Sequence, residues 1–374
     1  MPDEGPIADV IRKLLQYSDL SFRDFMEVAL YHPQSGYYAR VESPVGREGD
    51  FITSPRLSPV FSFALSRLVD EFVRRSGDAM CTIVDIGCGD GSLIDSLALG
   101  SVSTGQRARF VGVDRSLDRV AGEARQRVSF VRSIDEIPRG GAHLIFSNEL
   151  FDALPFSRVV QRGEHLHELW VAEREGSLDW SEHESGSELE EYFRSRGIEL
   201  SEGQFADVTP EWGALYGDIC RVVERGLIVT FDYGYPEKKL FHSRARRFGT
   251  AAAYSRHRVS RDLLANPGEQ DLTAHINFDD LQREGERRGF ATLFFERQAK
   301  FLLSLGITKH ELFKPSTELE VSNLNEAVEL LERRDAARQL VLPDAIGHDI
   351  RVLVQERGSE RDLWSFQKPL LTTL

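Results

Sequence analysis

The sequence predicts an α/β fold: a mostly parallel seven-stranded sheet with helices on both faces, an N-terminal cap and inserted segments. Three observations predict it. A short run rich in β-branched residues, Thr82 to Ile86, reads as a strand buried on both faces. It passes at once into three glycines at alternate positions, Gly87, Gly89 and Gly91, and then into a helical pattern from Ser92 to Ala98. Strand-like and helix-like segments go on alternating downstream, the pattern of a parallel sheet with crossover helices.

Each element follows from local chemistry. Ser21-Phe22-Arg23-Asp24 reads as a capping box with Ser21 as N-cap, and Phe22, Phe25, Met26, Ala29 and Leu30 then recur at helical spacing until His32-Pro33. Residues 40–57 carry glycine, proline and charge and read as irregular. Ser58-Pro59 opens a second helix as N-cap and N1 proline, with Val60, Phe61, Ala64, Leu65, Leu68, Val69 and Phe72 as its apolar stripe. The expected division is therefore an N-terminal cap region, 1–57, and a sheet domain, 58–374, interrupted by insertions at about 156–211 and 235–276.

Within that domain, strands are expected at Thr82–Ile86, Arg109–Asp114, Val128–Val131 and Ala142–Ser147. The first insertion opens with two alternating runs, Phe156–Val160 and Leu166–Val171, joined through Arg162-Gly163-Glu164. Its remainder, 173–206, is acidic and reads as an exposed region. A helix from Trp212 leads to a fifth strand, Gly226–Gly234. The second insertion is rich in arginine and histidine, shows no core pattern, and has the length of a lid or binding loop. Asn277 caps a further helix, and Ala291–Phe295 and Ile350–Gln355 give the sixth and seventh strands.

The glycine turn sits where such sheets bind nucleotide-like ligands. Its spacing is G-x-G-x-G, with Ser92 where a dinucleotide fingerprint has its third glycine. Asp85 and Asp90 crowd it, and carboxylates repel a pyrophosphate. They suit a phosphate-free ligand that carries an ammonium group and ribose hydroxyls, so S-adenosylmethionine fits better than NAD(P) or a turn with no ligand. Asp114, at the end of the second strand, is placed to take two ribose hydroxyls, as it would be for either cofactor. Asp135 lies on a loop suited to an adenine edge. The fourth strand runs into Asn148-Glu149-Leu150-Phe151-Asp152-Ala153-Leu154-Pro155.

That last run resembles the N-E-x-x-D-A-L-P signature of the MidA family of S-adenosylmethionine-dependent methyltransferases. Leu30-Tyr31-His32-Pro33, Gly36-Tyr37-Tyr38 and Gly49-Asp50-Phe51-Ile52-Thr53-Ser54-Pro55 resemble its N-terminal motifs. Asp232-Tyr233-Gly234, Gly249-Thr250, Asp271-Leu272-Thr273-Ala274-His275 and Gln298-Ala299-Lys300-Phe301-Leu302-Leu303 resemble its C-terminal ones. One departure stands out: Asp85 replaces the family's usual glutamate. The resemblance implies a Rossmann-like class I methyltransferase fold with an antiparallel final strand. It also implies kinship with mitochondrial enzymes that dimethylate an arginine of a respiratory complex I subunit during assembly.

Composition narrows the partners. The 374 residues are 41% hydrophobic with a formal net charge of −14. That charge argues against a nucleic-acid binder, which needs a basic face, and leaves room for a basic protein or peptide. Cys81, Cys88 and Cys220 show no metal or disulfide spacing, and His165 with His167 lacks further ligands, so no metal site is expected. No run is long enough to span a bilayer. The acidic N-terminus lacks the marks of a signal or transit peptide, which leads to the expectation of a cytoplasmic, bacterial-type relative.

Methyl transfer requires that a nucleophile be aligned with the methyl group and that water be excluded. Asn148, Glu149 and Asp152 are the candidate catalytic residues, since paired carboxylates grip a guanidinium in bidentate fashion. A structural reading stands beside this, with Asp152 capping the turn and Asn148 fixing the backbone. Asp85, Gly87, Gly89, Gly91, Asp114 and Asp135 are the candidate cofactor-binding residues, with Asp50 and Thr53 closing over the site. Three functions remain open: a protein arginine N-methyltransferase, a small-molecule N- or O-methyltransferase, and an S-adenosylmethionine-binding assembly factor without turnover.

Overall fold

The computed structural model describes residues 6–39, 53–101, 107–210, 212–315, 323–343 and 345–358. The chain divides into two compact units, each assembled from three separated segments.

The parallel-sheet unit comprises Ile52–Leu150, Ala214–Asp232 and Leu281–Leu374. Its strands are β1 (Cys81–Ile86), β2 (Ala108–Val113), β3 (Val128–Val131), β4 (Ala142–Asn148), β5 (Val223–Tyr235), β6 (Ala291–Arg297) and β7 (Ile350–Arg357). They lie in the order β3-β2-β1-β4-β5-β7-β6. β1 pairs in parallel with β2 and β4, β2 with β3, and β4 with β5, whereas β6 and β7 are antiparallel. All six residues of β1 are buried, as the β-branched run requires. These seven strands, with an antiparallel pair at one end, match the expectation, and a two-residue strand, Ile276–Asn277, adds an eighth by pairing in parallel with β5 at Gly234 and Tyr235.

The helix Pro59–Ser76 starts at Ser58, whose side chain accepts from the Val60 N–H, and its predicted stripe is buried throughout. Phe61 from this helix meets Phe231 of β5 edge-on at 5.3 Å. Phe231 meets Phe301 at 5.6 Å, and Phe301 meets Phe294 of β6 at 5.4 Å. Burying rings of this size stabilises by about 1.5–3 kcal/mol each, and the four together fix the helix Gln298–Ser304 beside the sheet.

The chain order reverses at β1. β2 and β3 build outward on one side, and β4 and β5 on the other. A crevice therefore opens at the carboxyl ends of β1 and β4. Ile86 pairs with Ser147, so the glycine turn and Asn148-Glu149 leave the sheet side by side.

The antiparallel-sheet unit comprises Met1–Phe51, Phe151–Gly213 and Tyr233–Asp280. Ser157–Arg162 and His165–Arg174 form the expected hairpin, which Ser177–Glu184, Phe205–Val208 and Leu20–Ser21 extend to five strands. The helix Phe22–Tyr31 begins at Ser21 as predicted, its side chain accepting from the Asp24 N–H. Phe22, Phe25 and Leu30 share a buried cluster with Phe156, Val171 and Leu272. Two expectations need correction here. Residues 173–206 are not simply an exposed region: Leu189, Tyr192, Phe193 and Ala206 are buried in a second cluster. Residues 235–270 do contain a core, with Ala251, Ala253, Leu263 and Leu264 buried around a small three-stranded sheet. Strands of three or four residues are too short to show a period, and charged neighbours hide the few apolar positions.

Candidate active site

The site in the parallel-sheet unit is built where β1, β2 and β4 end. Gly87, Gly89 and Gly91 all adopt left-handed backbone conformations, with φ of 73°, 56° and 77°. A Cβ at Gly87 would lie 2.9 Å from Leu150 Cδ1, and one at Gly91 would lie 2.8 Å from the Phe130 ring. These two glycines therefore serve packing. Gly89 differs, because among the described residues nothing lies within 4 Å of where its Cβ would be. Its bare backbone faces open space, the arrangement that close approach of a ligand needs.

Three carboxylates gather at this turn. Asp114 accepts the Gly89 N–H through Oδ2 at 2.8 Å and the Ser116 N–H through Oδ1 at 2.9 Å. Burial raises its pKa against the pull of those two hydrogen bonds. Asp85 is 2% exposed. Its pKa is pushed up to about 8 by burial first, then by the negative charges of Asp114 and Asp90. Asp90 is half-buried and pairs with Arg56. Cys88 is buried in the turn and its thiol is held well above its usual pKa by burial and the same carboxylates, so it fills space and is no nucleophile.

At the end of β4, Glu149 has a left-handed φ of 50°, uncommon for a side-chain-bearing residue. Such strain costs on the order of 1–3 kcal/mol and persists where the surroundings enforce it. Here the Glu149 N–H donates to the Phe231 carbonyl at 2.8 Å. Its Oε1 accepts from Asn148 Nδ2 at 3.1 Å and from the Ser54 N–H at 3.4 Å. Asn148 Oδ1 is buried and takes no hydrogen bond among the described residues.

Some expected residues stand apart. Thr53 is the N-cap of the short helix Ser54–Leu57, directly before the residue that meets Glu149. Asp135 is exposed and ion-paired with Arg221 at 2.9 Å. Asp152 falls in the antiparallel-sheet unit, where it is 6% exposed and its carbonyl accepts the Ala274 N–H at 3.0 Å. Asp50 lies outside the described residues. Arg56, Ser54 and Gln298 were not among the expected site residues; only their places in the resembling motifs, or beside them, hinted at them.

The arrangement fits S-adenosyl-L-methionine. Acidic side chains clustered at the turn suit a sulfonium and an ammonium group and disfavour a pyrophosphate, and Asp85, which holds its proton up to about pH 8 in the ligand-free protein, is placed to ionise against an arriving cation. The uncovered backbone at Gly89 leaves room for the ligand, and Asp114 keeps lone pairs for a diol. Fold and site together define a class I S-adenosyl-L-methionine-dependent methyltransferase.

Comparison with known proteins gives the narrower assignment. The chain belongs to a family of S-adenosyl-L-methionine-dependent methyltransferases whose model matches residues 64–295, and the MidA resemblance holds. Human protein arginine methyltransferase NDUFAF7, a mitochondrial protein, is 23% identical over 347 residues, covering 82% of this chain and 75% of its own. The Danio rerio protein of the same name is 26% identical over 312 residues, covering 72% and 69%. A Burkholderia thailandensis protein, solved with S-adenosyl-homocysteine bound, aligns with TM-score 0.82 and 27% identity over 96% of both chains. These relatives correct one expectation: the curated ones are mitochondrial, so the cytoplasmic location inferred from the N-terminus does not stand. Among the described residues no helix is long and apolar enough to cross a membrane.

Proposed function

We propose that this methyltransferase acts on an arginine side chain of a protein or peptide. The observation that carries the reading is the pair of acceptors at the end of β4, the Glu149 carboxylate and the buried Asn148 Oδ1, which takes no hydrogen bond among the described residues. A buried acceptor without a donor is costly, and a donor-rich acceptor molecule relieves that cost. Guanidinium supplies five N–H donors in a planar fork and a positive charge to meet Glu149. The curated relatives named as protein arginine methyltransferases support the same class.

When bound, S-adenosyl-L-methionine supplies an electrophilic methyl group on a sulfonium. The chain's own residues do the rest. Asn148 Nδ2 holds the Glu149 carboxylate, which binds and orients the guanidinium. The same carboxylate accepts the proton that the attacking nitrogen sheds.

The test is transfer of label. Purified protein is incubated with methyl-tritiated S-adenosyl-L-methionine and an extract of cells lacking this protein, and the extract is then fractionated. Label in protein, released by acid hydrolysis as methylarginine, is the expected result. Label in the small-molecule fraction overturns the substrate class, and cofactor binding without any transfer overturns turnover.

A further inference from the structure

The Glu149 carboxylate is held by more than its neighbour Asn148. The backbone N–H of Ser54 reaches Oε1 from a segment 95 residues earlier in the chain. Ser54 is fully buried, and its hydroxyl lies 2.9 Å from Nε2 and 3.1 Å from Oε1 of Gln298, which is also fully buried. Gln298 starts the helix that Phe301 locks against Phe231 and Phe294. Phe231 in turn supplies the carbonyl that holds the Glu149 N–H. Two of the attachments of Glu149, at its backbone and from Ser54, therefore trace to the same aromatic cluster. The helix carrying Ser54 also carries Arg56, which pairs with Asp90 in the glycine turn.

We propose that Ser54 and Gln298 are positioning residues for Glu149, with the Gln298 amide fixing the Ser54 hydroxyl so that the Ser54 N–H meets the carboxylate. This rests on the reading of Glu149 as the substrate-facing carboxylate. The physical argument is one of satisfaction. A fully buried amide and a fully buried hydroxyl must find partners, and each is the other's, which leaves Ser54 one orientation. A carboxylate held at both its backbone and its side chain stays in one arrangement as substrate arrives. Arg56 extends the same helix to the cofactor turn, so one four-residue element touches both sides of the chemistry.

The experiment is a double-substitution cycle. Gln298→Met keeps volume and removes both contacts to Ser54, and Ser54→Ala is the milder variant if the first folds poorly. Each is assayed by label transfer from tritiated S-adenosyl-L-methionine to extract protein, giving an apparent kcat and a KM for the cofactor. Calorimetry with S-adenosyl-homocysteine gives binding apart from turnover. The expected result is a roughly tenfold lower kcat in either variant, with KM and affinity within about twofold. In the Glu149→Gln background, the same substitutions are expected to add nothing, because the group they position has lost its charge. Full additivity with Glu149→Gln, or an unchanged kcat in both variants, overturns the inference. A silent Glu149→Gln overturns instead the reading beneath it, so the two failures are told apart.

Discussion

The backbone N–H of Gly89 donates to Asp114 Oδ2 at 2.8 Å, so the middle glycine of the turn and the acid after β2 form one hydrogen-bonded unit. The second oxygen is fixed by Ser116 at 2.9 Å. Asp114→Ala removes the acceptor for the turn and, on the expectation that Asp114 takes the ribose hydroxyls, for the cofactor as well. A charge-assisted hydrogen bond is worth about 1.5–3 kcal/mol, so affinity for S-adenosyl-homocysteine is expected to fall about ten- to a hundredfold. Calorimetry on the folded variant checks this, and unchanged affinity places the ribose elsewhere.

Gly89 and Gly163 offer a matched pair. Both have φ of 56° and open space at the Cβ position, one in the cofactor turn and one in a hairpin of the antiparallel-sheet unit. Alanine at either position carries the left-handed backbone cost, about 1–2 kcal/mol. Only Gly89→Ala is expected to lose cofactor binding as well. Equal affinities in the two variants mean that no ligand approaches Gly89.

Asp85 predicts a pH dependence of stability in the ligand-free protein. Its folded pKa, about 8, lies above the ordinary 3.8. The folded state therefore keeps a proton that the unfolded chain has released, and the stabilisation is full below about pH 4 and lost as pH rises through about 8. Asp85→Asn is expected to flatten that part of the melting-temperature profile. An identical slope in wild type and variant shows that Asp85 is ionised throughout.

Glu149→Gln keeps the shape and removes the charge. Methyl transfer is expected to fall by about two orders of magnitude, on the scale of a lost electrostatic or acid–base contribution. Cofactor affinity is expected to stay nearly unchanged. Turnover retained within a few-fold makes Glu149 structural and takes from the arginine reading its main physical support.

What was legible in the sequence was what local chemistry dictates. The strand before Gly87, the Ser58-Pro59 helix start and the strand ending at Asp114 each follow from a few neighbouring residues. Ser54 and Gln298 were not legible as site residues, because their contact joins positions 244 residues apart and neither type carries chemistry alone. The loop alone places Asp135 for an adenine edge, and its ion pair with Arg221 was not legible because the partner comes from a segment 86 residues away. Leu189 and Phe193 were hidden by a charged setting, since four of the first five residues of their helix are polar or acidic and exposed.

The threading of the chain sets a timetable for its synthesis. Phe22 and Leu272 share one buried cluster, yet most of the chain is translated between them. The β1–β4 half of the parallel sheet likewise emerges from the ribosome well before β5 arrives to cover the edge of β4. Nascent chains therefore pass through a long interval with apolar helices unpaired and a parallel strand edge open. Such non-local closure is slow and exposes surface that aggregates. The edge of β5 in turn stays open until β7, Ile350–Arg357, is made, so the parallel sheet closes only as synthesis nears its end.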